Sequence, residues 1–134
     1  MPMEEDLLAR LGTAAPIAAL VADRVDWFDR PRALPALTLT KVSPGREWTM
    51  SGPDGLDEPR VQIDAWALTK AGVGALARAV LAEMEQPRDV GATSFHEASV
   101  EFDRWSTEDV AGVGTVFRIQ QDFTFYHQAR EATP

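Results

Sequence analysis

The sequence of 134 residues contains no cysteine. This absence excludes disulfide bonds, thiolate metal ligands and a cysteine nucleophile, and it fits folding in a reducing cytoplasm. Long apolar runs are also missing. The longest uncharged apolar stretch, residues 14–22, contains Pro16 and is much shorter than the roughly 20 residues of a transmembrane helix. Because the first residues carry acids where a secretory signal would carry lysine or arginine, we expect neither a membrane span nor secretion.

Basic residues are scarce relative to acids. The chain has 13 lysines and arginines against 21 aspartates and glutamates, which gives a formal net charge of −8. Duplex binding draws most of its affinity from cations that neutralise phosphates, so this composition argues against a protein that clamps DNA. An acidic wall that lets DNA slide past without holding it remains compatible with this charge.

Motifs that carry chemistry are missing as well. The G-x-x-x-x-G-K and G-x-S-x-G patterns are absent, and the two GVG triplets at 72–74 and 112–114 lack the rest of a dinucleotide-binding fingerprint. The only histidines are His96 and His127. His96 with Asp103 could bind a metal or move a proton, but the favoured interpretation is a half-exposed strand histidine. We therefore predict no catalytic residue, no metal, no cofactor and no enzymatic activity.

Two stretches have the periodicity of helices. Residues 4–21 form a helical pattern that is broken near Gly12 and Pro16. Residues 69–86 are predicted as the main helix, which Pro87 ends, and they carry apolar residues at helical spacing: Val73, Leu76, Ala77, Val80, Leu81 and Met84.

Alternating patterns predict the strands. A short strand follows Asp23, and longer strands are expected over 36–43, 60–68, 93–105 and about 113–128, with a loop at 106–114. The order predicts an α+β fold: a mostly antiparallel sheet of four to six strands, two main helices packed on it and a long protruding hairpin loop. We expect one domain over 1–134, with residues 1–3 and 128–134 frayed.

Three acids and several loop residues are the candidates for function. Glu97, Glu101 and Asp103 are expected on one face of a strand, where they form a solvated or pore-facing acidic surface; a magnesium or calcium site is the alternative. We expect core packing to explain half or more of the four tryptophans, but Trp48 and Trp105 lie next to predicted loops, where aromatic residues often anchor protein interfaces.

The order of several segments resembles that of a known family. The segments are LLARLGTAAPIAALVADRVDW, LPALTLTKVSPG, SGPDGLDEPRVQIDAWALTKAGVGALARAVLAEM and VFRIQQDFTFYHQ. From about Glu4 to His127 the chain is similar to the tail-completion, or tail-terminator, proteins of long-tailed bacteriophages, prophages and gene-transfer particles. The most specific part is the glycine- and proline-rich loop, followed by RVQIDAWA and the alanine-rich helix.

The resemblance implies a virion structural protein that assembles in the bacterial cytoplasm. Such a protein would form a homo-hexameric ring on the head-proximal end of the tail tube, stop tube polymerisation and join the tail to a head-tail connector or head-closure protein. DNA would pass through the ring without specific binding, and no membrane would be involved. Glu97, Glu101 and Asp103 would then face the channel, and subunit or tube contacts would involve Trp48, Met50, Pro53, Asp54, Leu56 and Trp105.

Two other functions stay open at this point. A head-closure or connector adaptor of the neck would share the small size and acidic balance. A ligand-binding module or an unrecognised enzyme would instead need a small-molecule pocket lined by His96 or His127.

Overall fold

The computed structural model describes residues 2–30, 33–43 and 58–129. In this part of the chain, three helices and eight strands follow one another in an α+β order. Their bounds are α1 (Pro2–Thr13), α2 (Ala15–Val21), β1 (Val25–Trp27), β2 (Ala36–Ser43), β3 (Arg60–Ala67), α3 (Lys70–Met84), β4 (Arg88–Val90), β5 (Thr93–Phe95), β6 (Ser99–Val110), β7 (Gly114–Thr124) and β8 (His127–Ala129).

The strands form two sheets. The main sheet has the order β1-β2-β3-β7-β6, in which only β1 and β2 are parallel. Strands β4, β5 and β8 form a small antiparallel sheet. The expected α+β class with a mostly antiparallel sheet is therefore confirmed. None of the helices in the described ranges is long and apolar enough to span a membrane.

The core lies between the main sheet and the helices. On β3, Val61, Ile63 and Ala65 alternate with polar residues and point to the helix side. Their neighbours in the sheet, Leu39 on β2 and Phe123 on β7, are fully buried on the same side. Each of the larger side chains in this set, which excludes Ala65, stabilises the fold by about 1.5–3 kcal/mol through the apolar area removed from water. The predicted stripe of α3 packs here, with these buried members: Val73, Leu76, Ala77, Val80 and Met84.

A side-chain cap fixes the start of α3. The Thr69 hydroxyl accepts a hydrogen bond from the Gly72 amide at 3.0 Å, which satisfies one of the free N–H groups at the helix terminus. The helix ends at Met84, shortly before Pro87, as expected from a residue that cannot donate a helical hydrogen bond. The predicted helix over 69–86 is thus confirmed within two residues at its C-terminus.

Two expected strands and one expected loop have different bounds in the structure. The strand expected over about 113–128 is divided into β7 and β8, which belong to different sheets. The strand expected over 93–105 is divided into β5 in the small sheet and β6 in the main sheet. Between them, the His96 amide donates to the Tyr126 carbonyl and the Ala98 amide donates to the Met84 carbonyl, so the chain leaves one sheet before it joins the other. The loop expected at 106–114 is mostly strand, since residues 106–110 pair with β7. Pairing with β7 outweighs the low strand propensity of aspartate and glutamate here.

Two residues near the chain ends belong to described elements. Met3 lies in α1 with its side chain 6% exposed, and Gln128 lies in β8, paired with Ser94 of β5. Packing of Met3 against the core and backbone pairing of β8 hold these positions. Residues 1 and 130–134 are outside the described ranges.

Candidate assembly surface

Strand β6 forms one edge of the main sheet and carries exposed apolar side chains. Its only neighbour in the described sheet is β7, so the backbone groups on its other side have no strand partner there. Trp105 and Val100 on this strand are 53% and 43% exposed. Trp105 lies in the middle of β6, and a Cβ built on Gly74 of α3 would be 3.6 Å from its ring. An exposed edge with a large aromatic residue is typical of a protein interface.

The three candidate acids are exposed but do not form a regular row. Glu97 precedes β6, and a β-bulge at Glu101 places two residues of β6 opposite one of β7. Only Asp103 lies in regularly paired strand, opposite Gln121. The expectation that all three share one strand face is corrected, because the bulge interrupts the two-residue alternation. They still contribute negative charge to this edge of the sheet.

The other interface candidates lie outside the described residues. Trp48, Met50, Pro53, Asp54 and Leu56 all belong to residues 44–57, so their proposed contacts stay predictions. The polypeptide enters this segment from β2 and leaves it shortly before β3.

Charged residues are concentrated on the face of the sheet opposite the helices. Arg118 Nη2 contacts Asp64 Oδ2 at 3.0 Å, and Arg60 Nη2 contacts Asp122 Oδ2 at 3.0 Å. Both aspartates are more than nine-tenths buried, whereas the arginine side chains are 42% and 32% exposed for Arg60 and Arg118. The carboxylates therefore fix the guanidinium groups, whose outer edges remain accessible to solvent.

Trp66 lies on this charged face between two arginines, Arg30 and Arg118. Its indole N–H donates to the Thr38 hydroxyl at 3.0 Å, and the guanidinium carbons of Arg30 and Arg118 lie 5.0 and 4.9 Å from its ring centroid. Arg30 follows β1, and its side chain lies on the face opposite the helices. Cation–π contacts of this kind hold arginines in place on an aromatic surface.

A buried ion pair joins the first helix to the end of α3. Arg10 Nε donates to Glu83 Oε2 at 2.8 Å and Nη2 donates to the Gln86 carbonyl at 2.7 Å. Burial lowers the pKa of Arg10. Burial alone would raise the pKa of Glu83, but hydrogen bonds from Arg88 and Arg10 outweigh it and hold that pKa below its usual value. This network stabilises the scaffold behind the candidate surface.

The opposite edge of the sheet carries an exposed phenylalanine next to a half-buried tryptophan. Phe28, directly after β1, is 67% exposed and has a φ of 66°, which is unfavourable for a bulky residue. It lies beside Trp27 above a hollow of about 370 Å³ that is also lined by Glu4, Glu5 and Lys41. The strained backbone holds the phenyl ring in solvent, as at many functional positions.

The histidines are not brought together with other metal ligands. His96 is exposed with its ring 6.4 Å from that of Tyr126, and His127 contacts Phe95 and Phe125. Among residues 2–30, 33–43 and 58–129, no group of three or more potential ligands could hold a metal ion.

Sequence reasoning missed the arginine-rich face. The signal was present in the alternation of Arg60, Gln62 and Asp64 on one strand and of Arg118 and Asp122 on another. Only the antiparallel register between β3 and β7, which pairs Gln62 with Asp122 and Trp66 with Arg118, brings these rows together.

A mixed sheet backed by helices, with an exposed edge and a charged face, defines a subunit whose surfaces suit assembly. The sequence profile of the tail completion protein gp17 family matches residues 5–128. This match covers nearly the whole chain, and the protein belongs to the tail completion protein gp17 family. It is therefore a structural tail protein of a phage virion or gene-transfer particle. The family is not known for enzymatic activity.

Solved structures share the fold at low sequence identity. A chain from the virion of a native gene transfer agent particle is 15% identical, with a TM-score of 0.62 and coverage of 94% of both chains. A second solved chain is 14% identical, with a TM-score of 0.53 and coverage of 98% of this chain and 96% of the other. No curated protein sequence matches the chain.

Proposed function

We propose that the protein forms a homo-hexameric ring on the head-proximal end of the tail tube. The ring stops polymerisation of the tube and presents its opposite side to a head-tail connector or head-closure protein. The match to the tail completion family over residues 5–128 is the observation that carries this proposal. The similarity in fold to a chain of a gene transfer agent virion supports it.

The exposed edges of the sheet supply contacts of the kind a ring needs. Closed rings are built from heterologous contacts, in which one surface of a subunit meets a different surface of the next. Trp105 on β6 and Phe28 after β1 are exposed at opposite edges of the main sheet. The segment 44–57, with Trp48, Met50, Pro53, Asp54 and Leu56, provides further contacts to a neighbouring subunit or to the tube.

The acidic surface has a role in the passage of DNA. A channel lined by negative charge repels phosphates and lets the duplex slide, at the cost of repulsion between subunits. Glu97, Glu101 and Asp103 are exposed and serve as channel-facing residues in this proposal. Replacement of all three by lysine should slow DNA delivery and raise affinity for duplex DNA. If both quantities stay at their wild-type values, these acids do not line the channel.

Tube length measures the proposed activity directly. Purified tail tube protein is polymerised with and without this protein, and tube lengths are counted by electron microscopy. We expect shorter tubes with one decorated end, and loss of this effect on deletion of residues 52–57. Undecorated tubes of unchanged length, together with binding to isolated connectors, would instead assign the protein to the neck as a head-closure adaptor.

A further inference from the structure

Two exposed aromatic side chains lie at opposite edges of the main sheet. Phe28 and Trp105 are 67% and 53% exposed, the largest exposures of any aromatic side chain that the structure describes. Phe28 follows β1 and Trp105 lies on β6, and four strand spacings of about 4.8 Å separate these strands by about 19 Å. One chain therefore cannot bring its own two rings together.

Both edges present these rings on the side of the sheet that carries the helices. Trp105 is paired with the buried core residue Ile119, so its side chain points to the helix side, where it lies next to Gly74 of α3. At the other edge, Phe28 lines its hollow together with Glu4 and Glu5 of α1. Copies placed side by side would bring the β1–α1 edge of one against the β6–α3 edge of the next in the same layer.

The hollow beside Phe28 has a free carboxylate. Glu5 is exposed, and no hydrogen bond or ion pair holds it among the described residues. The base in the lining, Lys41, already binds Glu4. Asp29 follows Phe28 directly and is also exposed. The hollow, of about 370 Å³, therefore offers an aromatic wall and an acidic rim to an incoming group.

The Trp105 edge carries a group that fits this hollow. A Cβ built on Gly74 would lie 3.6 Å from the Trp105 ring and 3.3 Å from Arg78 Nη1, so the indole and the guanidinium group lie side by side over this glycine. Arg78 is exposed and has no ion-pair partner within residues 2–30, 33–43 and 58–129. An unpaired cation beside an exposed indole complements an aromatic wall with a free carboxylate.

We infer that Trp105 of one copy docks in the hollow beside Phe28 of the next copy, with Arg78 facing Glu5. Aromatic residues and arginine are typical of the centre of protein interfaces. The contact also gives a reason for the strained φ of 66° that keeps the Phe28 ring in solvent. It joins two different surfaces of successive copies, which is the geometry that closes a ring. The inference deepens the proposed function and rests on it for the existence of the ring.

Most other charges near the two surfaces come in pairs of opposite sign. Asp103 lies two residues from Trp105 on the same face of β6, and Lys41 is the base on the other side of the contact. Further along the β6–α3 edge, Lys70 and Asp109 contribute one charge of each sign. Net charge therefore does not select the partner. The two rings and the single pair of unpartnered charges next to them specify the contact.

Cross-linking tests the contact, because the chain contains no cysteine. Glu5→Cys/Arg78→Cys places one thiol on each surface and removes both charges together, which costs less than leaving one of them unpaired. A bismaleimide much shorter than the width of the sheet is added to the protein alone and to the protein on polymerised tail tubes. We expect a ladder of covalent oligomers that ends at the closed ring, whereas either single-cysteine variant should give nothing larger than a dimer.

Charge reversal measures the ionic part of the contact. Glu5→Arg and Arg78→Glu should each weaken self-association by about tenfold or more in light scattering, and the double variant Glu5→Arg/Arg78→Glu should recover most of it. Asp89→Arg and Arg104→Glu are the matched controls. Both side chains are exposed, but Asp89 lies on β4 of the small sheet and Arg104 points to the face opposite that of Trp105. Neither control should change self-association.

Phe28→Gly separates the contact from the stability of the fold. Glycine adopts a positive φ without strain, so the free energy of unfolding should stay close to the wild-type value. Loss of the ring should nevertheless weaken self-association by about tenfold. A destabilised fold with unchanged association would show that the Phe28 ring serves the fold and not the contact.

Several results would overturn the inference. The absence of a ladder from Glu5→Cys/Arg78→Cys, both in solution and on tubes, would contradict it, as would a double charge reversal without recovery. Weaker capping of tubes by Arg78→Glu with unchanged self-association would assign the Trp105 edge to the tube. Tubes that are capped without a ladder contradict the docking alone, whereas tubes that the wild-type protein leaves uncapped contradict the proposed function.

Discussion

Removal of the Arg10 guanidinium should strongly destabilise the fold. The substitution Arg10→Met keeps the aliphatic volume but deletes three hydrogen bonds, one to the Glu83 carboxylate and two to the carbonyls of Glu83 and Gln86. The Arg10 side chain is 2% exposed, so water cannot replace these bonds without opening the contact between α1 and α3.

The magnitude follows from the burial of the ion pair. Loss of one partner from a buried pair costs about 3–5 kcal/mol. Glu83 retains a contact of 2.9 Å with Arg88, so we expect the lower end, about 3 kcal/mol. For a chain of this size that loss corresponds to a melting temperature about 10 °C lower.

Urea unfolding followed by circular dichroism measures this loss. The midpoint should fall while the slope of the free energy of unfolding against urea stays constant. Arg78→Met is the matched control, because Arg78 is exposed on α3 and its removal should change stability by less than about 0.5 kcal/mol. A loss below about 1 kcal/mol for Arg10→Met would refute the reasoning that the buried network holds α1 to α3.

Three further perturbations test other parts of the scaffold. Gly91→Ala should lower the free energy of unfolding by about 1–3 kcal/mol, because Gly91 has a φ of 57° and a Cβ there would lie 2.3 Å from Asp6 Oδ1. Gly112→Ala is the control: Gly112 has a φ of 80° but lies in open space, so the loss measured in thermal melts should be smaller. Thr69→Ala should lower the free energy of unfolding by about 1 kcal/mol, because it removes the helix cap. Thr69→Ser keeps a hydroxyl and should retain most of the wild-type stability in the same melts. The depressed pKa of Glu83 means that its ionised form stabilises the fold above the ordinary value of 4.5 and that this contribution is lost as pH falls through the lowered pKa. As pH falls into the acid range, the free energy of unfolding of Glu83→Gln should therefore decrease less steeply than that of the wild type. Equal slopes for the two proteins would contradict this.

Local periodicity predicted the parts of the fold that depend on neighbouring residues. The apolar stripe of α3 and the alternation of β3 were sufficient to locate both elements, because burial of one face determines their period. The break between α1 and α2 followed from Pro16, which lies in the first turn of α2.

The features that local sequence patterns did not predict depend on pairing between strands that are distant in the sequence. The polar residues 106–110 lie in a strand because β7 pairs with them, and the bulge at Glu101 has no local signature. The arginine-rich face, with Arg60 on β3 and Arg118 on β7, depends in the same way on the register of β3 against β7. The family resemblance indicated a structural tail protein, and the exposed position of Trp105 is compatible with its proposed interface role.

The position of the protein in assembled particles tests the central claim most directly. Particles that carry a gold-labelled tag after Pro134 are imaged by electron microscopy, and the copies per particle are counted by quantitative mass spectrometry. The account predicts label at the junction of tail and head, with six copies per particle. A single copy per particle, or label at the distal tip of the tail, would contradict it.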